Sequence, residues 1–150
     1  MDREKIVRLV YWVTTLLFSA ALAWSAVQYL IEAPRMQATM IDHLGYPAYF
    51  PKILAAFKLA GVIALLVPLS GLPYGRELKE WTYAGFTFDL IGACASHSSV
   101  GDSFAISAVP LAFLVLLTAS YLSWKHIQGA RVSTETARNR TARSPAVAAR

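Results

Sequence analysis

The stretch LVYWVTTLLFSAALAWSAVQYLI, from Leu9 to Ile31, decides the fold class because it runs for 23 residues without a formal charge. At a rise of about 1.5 Å per residue, a helix of this length crosses a hydrocarbon core of about 30 Å with some tilt. A signal peptide is the competing interpretation, since basic residues precede the stretch and Ala21-Leu-Ala23 resembles a cleavage site. The apolar run continues past that point, which favours a membrane span.

Three further apolar stretches predict three more membrane helices, so that the spans lie at about 9–31, 53–72, 81–99 and 104–124. The fourth is uncharged and includes Pro110, which membrane helices tolerate. Lys and Arg gather before the first span, between the second and third, and after the fourth, as expected of cytoplasmic segments. We therefore predict an all-α, four-helix transmembrane bundle with both termini cytoplasmic, a multi-pass protein of a bacterial-type cytoplasmic membrane.

Composition agrees with lipid as the solvent, since 56% of the residues are hydrophobic and 15% are charged, fewer charges than a soluble domain carries. The net charge of +5 does not indicate nucleic-acid binding, because residues 131–150 carry five arginines against one acid. These residues contain almost nothing large and apolar to bury, which predicts a disordered, Arg-rich tail after a transmembrane domain of residues 1–130. The tail either contacts anionic lipid or only enforces orientation.

Thiol chemistry and protein-bound metals are not expected. Cys94 is the only cysteine, which excludes an intramolecular disulfide and a C-x-x-C redox pair. His43, His97 and His126 lack the i, i+4 spacing that would place two imidazoles on one helical face for a metal. The sequence shows no evident haem or flavin ligation either, so we do not expect the chain to be an enzyme on its own.

Lys58 and Asp89 stand out because each ionisable group within a span costs about 2.5 to 3.5 kcal/mol and needs a partner or a function. Both lie about two turns below the predicted outer surface, so neighbouring antiparallel helices would place them at similar depth. Gly85 and Gly92 share a face with Asp89 on the third span. Small residues in this pattern predict close packing by another helix.

These charges belong to a candidate polar cavity in the outer half of the bundle, comprising Lys58, Asp89, His97, Asp102, Gln28 and Glu32. One interpretation is a buried ion pair that fixes helix register, with the histidine and second aspartate capping a loop. The other is an outward-open cavity that binds a small molecule or passes protons. The first loop, residues 32–52, either anchors the chain in the interface or covers the outer mouth.

Several segments carry a family resemblance when they are taken in order. They are Gly45-Tyr46-Pro47-x-Tyr49, Lys58-Leu-Ala-Gly61 with Ala64-Leu-Leu-Val-Pro68, Leu78-Lys-Glu-Trp81-x-Tyr83-Ala-Gly-Phe86, and Ser96-His97 with Gly101-Asp102. Over roughly residues 8 to 125 the chain resembles the DoxX-like family of small four-span membrane proteins. The resemblance implies a four-helix transmembrane fold, and no catalytic residue can be carried over from it. Relatives of the broader group include a membrane subunit of a thiosulfate:quinone oxidoreductase and assembly factors for membrane proteins.

Two functions fit these observations. In the first, the protein is an accessory subunit of a membrane redox system that binds a quinone or another small molecule. Lys58 or His97 would then hydrogen-bond a carbonyl oxygen, and Asp89 would help to supply protons. In the second, it is a non-enzymatic binding, transport or assembly module with a purely structural Lys58–Asp89 pair, acting with a membrane-protein partner or as a homo-oligomer. The lipid bilayer is a partner in both cases, and nucleic acid in neither.

Overall fold

The chain is helical over nearly all of the residues that the computed structural model describes, 2–147, and contains no strand in that range. The helices are α1 (Arg3–Leu30), α2 (Pro34–Gln37), α3 (Phe50–Leu66), α4 (Gly75–Ser99), α5 (Phe104–Ser107) and α6 (Val109–Val147). A π-helical segment, Ala38–His43, continues α2, and a 3-10 turn, Leu69–Gly71, lies between α3 and α4. The all-helical fold class is as predicted.

The four long helices, α1, α3, α4 and α6, surround one apolar core. α1 packs against α3 and α6, while α4 packs mainly against α6 and more loosely against α3. Phe18 is fully buried at the centre, and its ring meets the edge of Phe86 with 5.1 Å between ring centroids. The loose contact between α3 and α4 leaves space for a cavity on that side of the bundle.

Proline and glycine set the ends of the helices that border this cavity. Pro51 lies in the first turn of α3, where its missing N–H would have no helical partner in any case. The helix ends before Val67, which is extended because the following Pro68 disfavours the helical conformation. At Gly75 an added Cβ would lie 1.9 Å from the carbonyl oxygen of Leu69, so only glycine allows the turn to approach this closely.

Among the residues that the structure describes, two helical stretches are long and apolar enough to cross a membrane, Arg3–Leu30 and Phe104–Arg140. They contain the span predicted at 104–124 and, except for Ile31, the span predicted at 9–31. The other two predicted spans fall on α3, which has 17 residues, and on α4, whose apolar run is interrupted by Asp89 and His97. The span predicted at 53–72 is too long at its end, because the Val67-Pro68 pair stops the helix.

Residues 131–147 continue α6 as a helix, where composition predicts a disordered tail. These residues include many weak helix formers, among them three threonines and Pro145, but a helix that is already formed extends without a new nucleation step. The described part of the tail therefore differs from the prediction, which counted only the lack of apolar surface to bury. The remaining predicted tail residues, 148–150, lie outside the described range.

Candidate functional site

A cavity of about 830 Å³ lies between α3, α4 and the segment of residues 36–46. This volume falls within the range of small-molecule binding sites. Most of the wall is apolar and aromatic, and it includes Met40, Leu54, Phe57, Phe86, Phe88 and Phe113. Polar side chains reach the wall mainly from the α3 and α4 sides, among them Lys58, Asp89, Ser96 and His97. We call this space the main cavity.

Lys58 and Asp89 meet in the wall of the main cavity. The Lys58 Nζ lies 3.7 Å from the Asp89 Oδ2, and the two side chains are 11% and 19% exposed. The ammonium also lies 5.1 Å from the ring centroid of Tyr29 and donates a hydrogen bond of 3.5 Å to the Ser25 Oγ. A carboxylate, an aromatic face and a hydroxyl together stabilise a charge held away from bulk water. The structure thus brings the two predicted charges into contact.

The floor of the main cavity is the contact between Gly61 on α3 and Phe86 on α4. A Cβ added at Gly61 would lie 2.5 Å from the Phe86 Cζ, so the aromatic ring occupies the place of a side chain. Phe86 is 5% exposed and belongs to the core. Below the charged pair, α3 and α4 therefore meet in a close apolar contact.

Gly85 and Gly92 border the main cavity instead of a helix interface. A Cβ built at either glycine would meet no atom within 4 Å. Within one chain, the close packing predicted at these two positions is not what the structure shows, and Gly61 is the glycine that permits close approach. The small residues keep the α4 wall flat and leave the cavity wide.

The main cavity opens sideways, between α3 and α4. Phe57 on α3 and Phe88 on α4 both line it, yet they are 71% and 73% exposed. Aromatic residues that face both the cavity and the outside mark its mouth. A molecule could therefore enter from the side of the bundle.

Residues 36–46 form the roof of the main cavity. The Tyr46 hydroxyl shares a hydrogen bond of 2.5 Å with the Ser96 Oγ on α4, and the Tyr46 ring stacks on Phe50 with 4.5 Å between centroids. The Tyr29 hydroxyl donates to the Met40 Sδ at 3.7 Å. The first loop was predicted either to anchor the chain in the interface or to cover the outer end of the bundle. These contacts support the second interpretation.

A latch of His43, His97 and Asp102 ties the roof to the end of α4. The Asp102 Oδ1 lies 2.8 Å from the His43 Nε2, and its Oδ2 lies 2.6 Å from the His97 Nδ1. The hydrogen bond from His97 lowers the pKa of the Asp102 carboxyl below its ordinary value, and His43 adds to the effect. The aspartate is therefore ionised at neutral pH, where it can hold both imidazoles.

Replacing Asp102 with asparagine should loosen the roof, because an amide has no charge and offers one acceptor oxygen in place of two. We expect amide hydrogen exchange in residues 36–46 to become severalfold faster at neutral pH, as measured by mass spectrometry. The pKa of Asp102 is lower in the folded state than its ordinary value of 3.8. The latch therefore stabilises the roof fully at pH values above 3.8. That stabilisation is lost as the pH falls through the lowered pKa.

The exposed Asp42 on the same segment provides the control, and Asp42→Asn should leave exchange of the roof unchanged. Equal exchange in the Asp102→Asn variant and the wild type would show that the latch does not hold the roof.

Of the six residues predicted for the polar cavity, three line the main cavity and three do not. Lys58, Asp89 and His97 line the main cavity, while Asp102 stands behind the histidine and positions it. Gln28 and Glu32 are not among the lining residues. Glu32 instead forms an exposed ion pair with Lys52 at the start of α3, and Gln28 is half-buried on α1.

Sequence analysis did not identify several residues that shape the site. Ser25 and Tyr29, which contact the lysine from α1, lie four residues apart and so share one helical face. Tyr46 and Gly61 stood within the segments of the family resemblance but had no predicted role in the cavity. The spacing of Ser25 and Tyr29 was a usable signal, whereas the contact of Gly61 with Phe86 depends on helix rotation.

A family model matches most of the chain. The model of the DoxX-like family covers residues 13–120, a range that contains the roof, the floor, the charged pair and the latch. No curated protein and no solved structure matches the chain.

Proposed function

Since the chain belongs to the DoxX-like family, we propose that it is a four-span membrane protein in which α1, α3, α4 and α6 cross the bilayer. Basic residues from three parts of the chain support this arrangement, because Arg8, Arg76 and Arg131 lie around one space at the same end of the bundle. The positive-inside rule places that end in the cytoplasm. The main cavity and its roof then lie in the outer half.

Within this arrangement, the main cavity binds a small lipophilic molecule with a polar head, and a quinone is the class that fits best. The observation that carries this proposal is an apolar cavity of about 830 Å³ with an ammonium in its wall. The Lys58 ammonium can donate a hydrogen bond to a quinone carbonyl oxygen, and the aromatic walls can hold the ring and the start of the tail. The protein would hold and orient the quinone as an accessory subunit of a membrane redox system.

The exposed face of α3 and α4, on the outside of the bundle, supports a second function. Phe57, Trp81 and Phe88 are each more than 70% exposed there, and Gly85 and Gly92 offer space beside them. Small residues next to apolar ones allow another membrane helix to approach closely. This face could dock a membrane-protein partner or a second copy of the chain, as an assembly module would.

Photolabelling in lipid nanodiscs tests the quinone proposal. A benzoquinone with a short photoreactive tail should label the protein to saturation at one site, and mass spectrometry should place the crosslinks on α3, α4 and residues 36–46. A matched compound that carries a cyclohexane ring in place of the quinone ring should not compete. Labelling that never saturates, or that is spread evenly over all lipid-facing helices, would contradict the proposal. Stable purification with a stoichiometric protein partner and no saturable label would favour the assembly module.

A further inference from the structure

A second cavity, of about 470 Å³, lies at the opposite end of the bundle from the roof. The start of α1, the turn between α3 and α4, and the middle of α6 contribute its walls. Four basic residues line it, Arg8, Arg76, Lys79 and Arg131, together with one acid, Glu77. We call it the basic cavity. The side chains that line it carry a net positive charge, without counting charged residues outside the cavity.

Glu80, which pairs with Arg76, does not neutralise the cavity. Glu80 accepts contacts from Arg76 at 3.5 Å and from Lys125 at 3.0 Å, so one carboxylate is shared between two cations. Arg8 and Arg131 are exposed side chains at the rim. Their guanidinium groups can therefore turn toward an anion in the cavity.

Lys79 is the buried member of the basic cavity, with 7% of its surface exposed. Its ammonium donates hydrogen bonds of 2.9 Å to the Tyr11 hydroxyl and 3.0 Å to the Leu65 carbonyl oxygen. Both acceptors are neutral, and among the described residues no carboxylate pairs with this lysine within 4.0 Å. A buried cation without a counter-charge is costly, and an anion bound in the cavity would supply one.

The start of α4 adds a second positive feature to the same cavity. Gly75 and Arg76, at the first turn of this 25-residue helix, line it, and no side chain caps the helix at Tyr74. The Gly75 N–H already donates to the Leu72 carbonyl oxygen at 3.1 Å, but the other N–H groups of the first turn and the positive end of the helix dipole favour phosphate groups. Trp12 and Trp124 complete the wall with amphipathic rings, a type of residue that is common at the level of lipid head groups.

We propose that the basic cavity binds a phosphate group, supplied by the head group of an anionic phospholipid. Arg8 and Arg131 contact the phosphate from the rim, Lys79 provides the buried positive charge, and Trp12, which is 48% exposed, packs against the glycerol region. This site is separate from the main cavity and does not depend on whether a quinone binds there.

Equilibrium binding of labelled lipids to the full chain in detergent micelles tests this proposal. We expect phosphatidylglycerol to bind at least about tenfold more tightly than phosphatidylcholine, since each basic residue near an anionic head group strengthens binding severalfold. The double variant Arg8→Gln/Arg131→Gln should lose at least about tenfold of the affinity for phosphatidylglycerol. Both residues are exposed, so the fold should survive, and circular dichroism checks this.

Arg3→Gln/Arg140→Gln is the matched control, because it removes two exposed arginines that do not line the basic cavity. It should bind phosphatidylglycerol within about twofold of the wild type. Equal binding of the two lipids by the wild type would overturn the proposal, and so would equal losses in the two double variants. Inorganic phosphate identifies the source of the anion. Failure of millimolar phosphate to displace the lipid supports a lipid site, whereas tight binding of phosphate without any lipid preference overturns the lipid assignment.

Discussion

Replacing Lys58 alone with methionine should lower the free energy of unfolding by about 3 kcal/mol, because it leaves the Asp89 carboxylate buried without its partner. Asp89→Leu should be destabilising to a similar degree for the converse reason. The double variant Lys58→Met/Asp89→Leu should recover most of the loss, since apolar side chains of similar size suit an apolar surrounding. Unfolding by denaturant in mixed micelles gives the three values.

An ion pair at the surface supplies the control for this comparison. Lys52 and Glu32 form a contact in which both side chains are more than half exposed. Breaking it with Lys52→Met should therefore cost less than about 1 kcal/mol. If Lys58→Met is equally mild, the buried pair does not stabilise the bundle in the way that its burial implies.

The same double variant separates structure from function. If the pair serves only to fix helix register, the folded double variant should saturate with the photoreactive quinone as the wild type does. If Lys58 holds the quinone carbonyl, the double variant should remain folded and lose saturable labelling. The second outcome is the one that we expect, because the ammonium lies in the wall of the main cavity.

Filling the main cavity should remove ligand binding without harming the fold. Gly92→Leu places a side chain into space where a Cβ meets no atom within 4 Å, so it occupies the volume that the ligand needs. We expect the affinity for the quinone probe to fall at least about tenfold, which corresponds to about 1.4 kcal/mol. Leucine is also a better helix former than glycine by nearly 1 kcal/mol, so the free energy of unfolding should stay equal or rise slightly.

Gly129→Leu is the matched control for this variant. Gly129 lies on α6 with open space beside it, far along the chain from the residues of the main cavity. The control should show the same gain in helix propensity and no change in probe binding. Unchanged binding by Gly92→Leu would mean that the probe is held somewhere other than in the main cavity.

The sequence was sufficient to predict the all-helical fold class and to place Lys58 and Asp89 at similar levels on neighbouring helices. A run of 23 uncharged residues predicts α1 and its end to within one residue, whereas the helix begins at Arg3, six residues before the predicted start. The approximate equality of depth between Lys58 and Asp89 followed from their distances to the helix ends. Their contact at 3.7 Å agrees with that reasoning.

The rotation of each helix about its axis, and the neighbours of each helix face, could not be predicted from the sequence in the same way. The spacing of Gly85, Asp89 and Gly92 shows that they share a face of α4, but it does not show what lies opposite. The structure places a cavity there and puts the close contact at Gly61. Composition likewise predicted disorder for residues 131–147, where the structure continues α6, because a helix that is already formed extends without a new nucleation step.

The mouth of the main cavity, between Phe57 and Phe88, opens to the side of the bundle. Its position determines which ligand concentration, in the membrane or in the water, controls occupancy of this site. If α3 and α4 cross the bilayer as proposed, a ligand arrives from the hydrocarbon and not from water. Occupancy then follows the mole fraction of ligand among the lipids, and the volume of buffer matters little. Adding empty vesicles dilutes the ligand across more membrane and empties the site, even when the total amounts of protein and ligand in the tube stay constant.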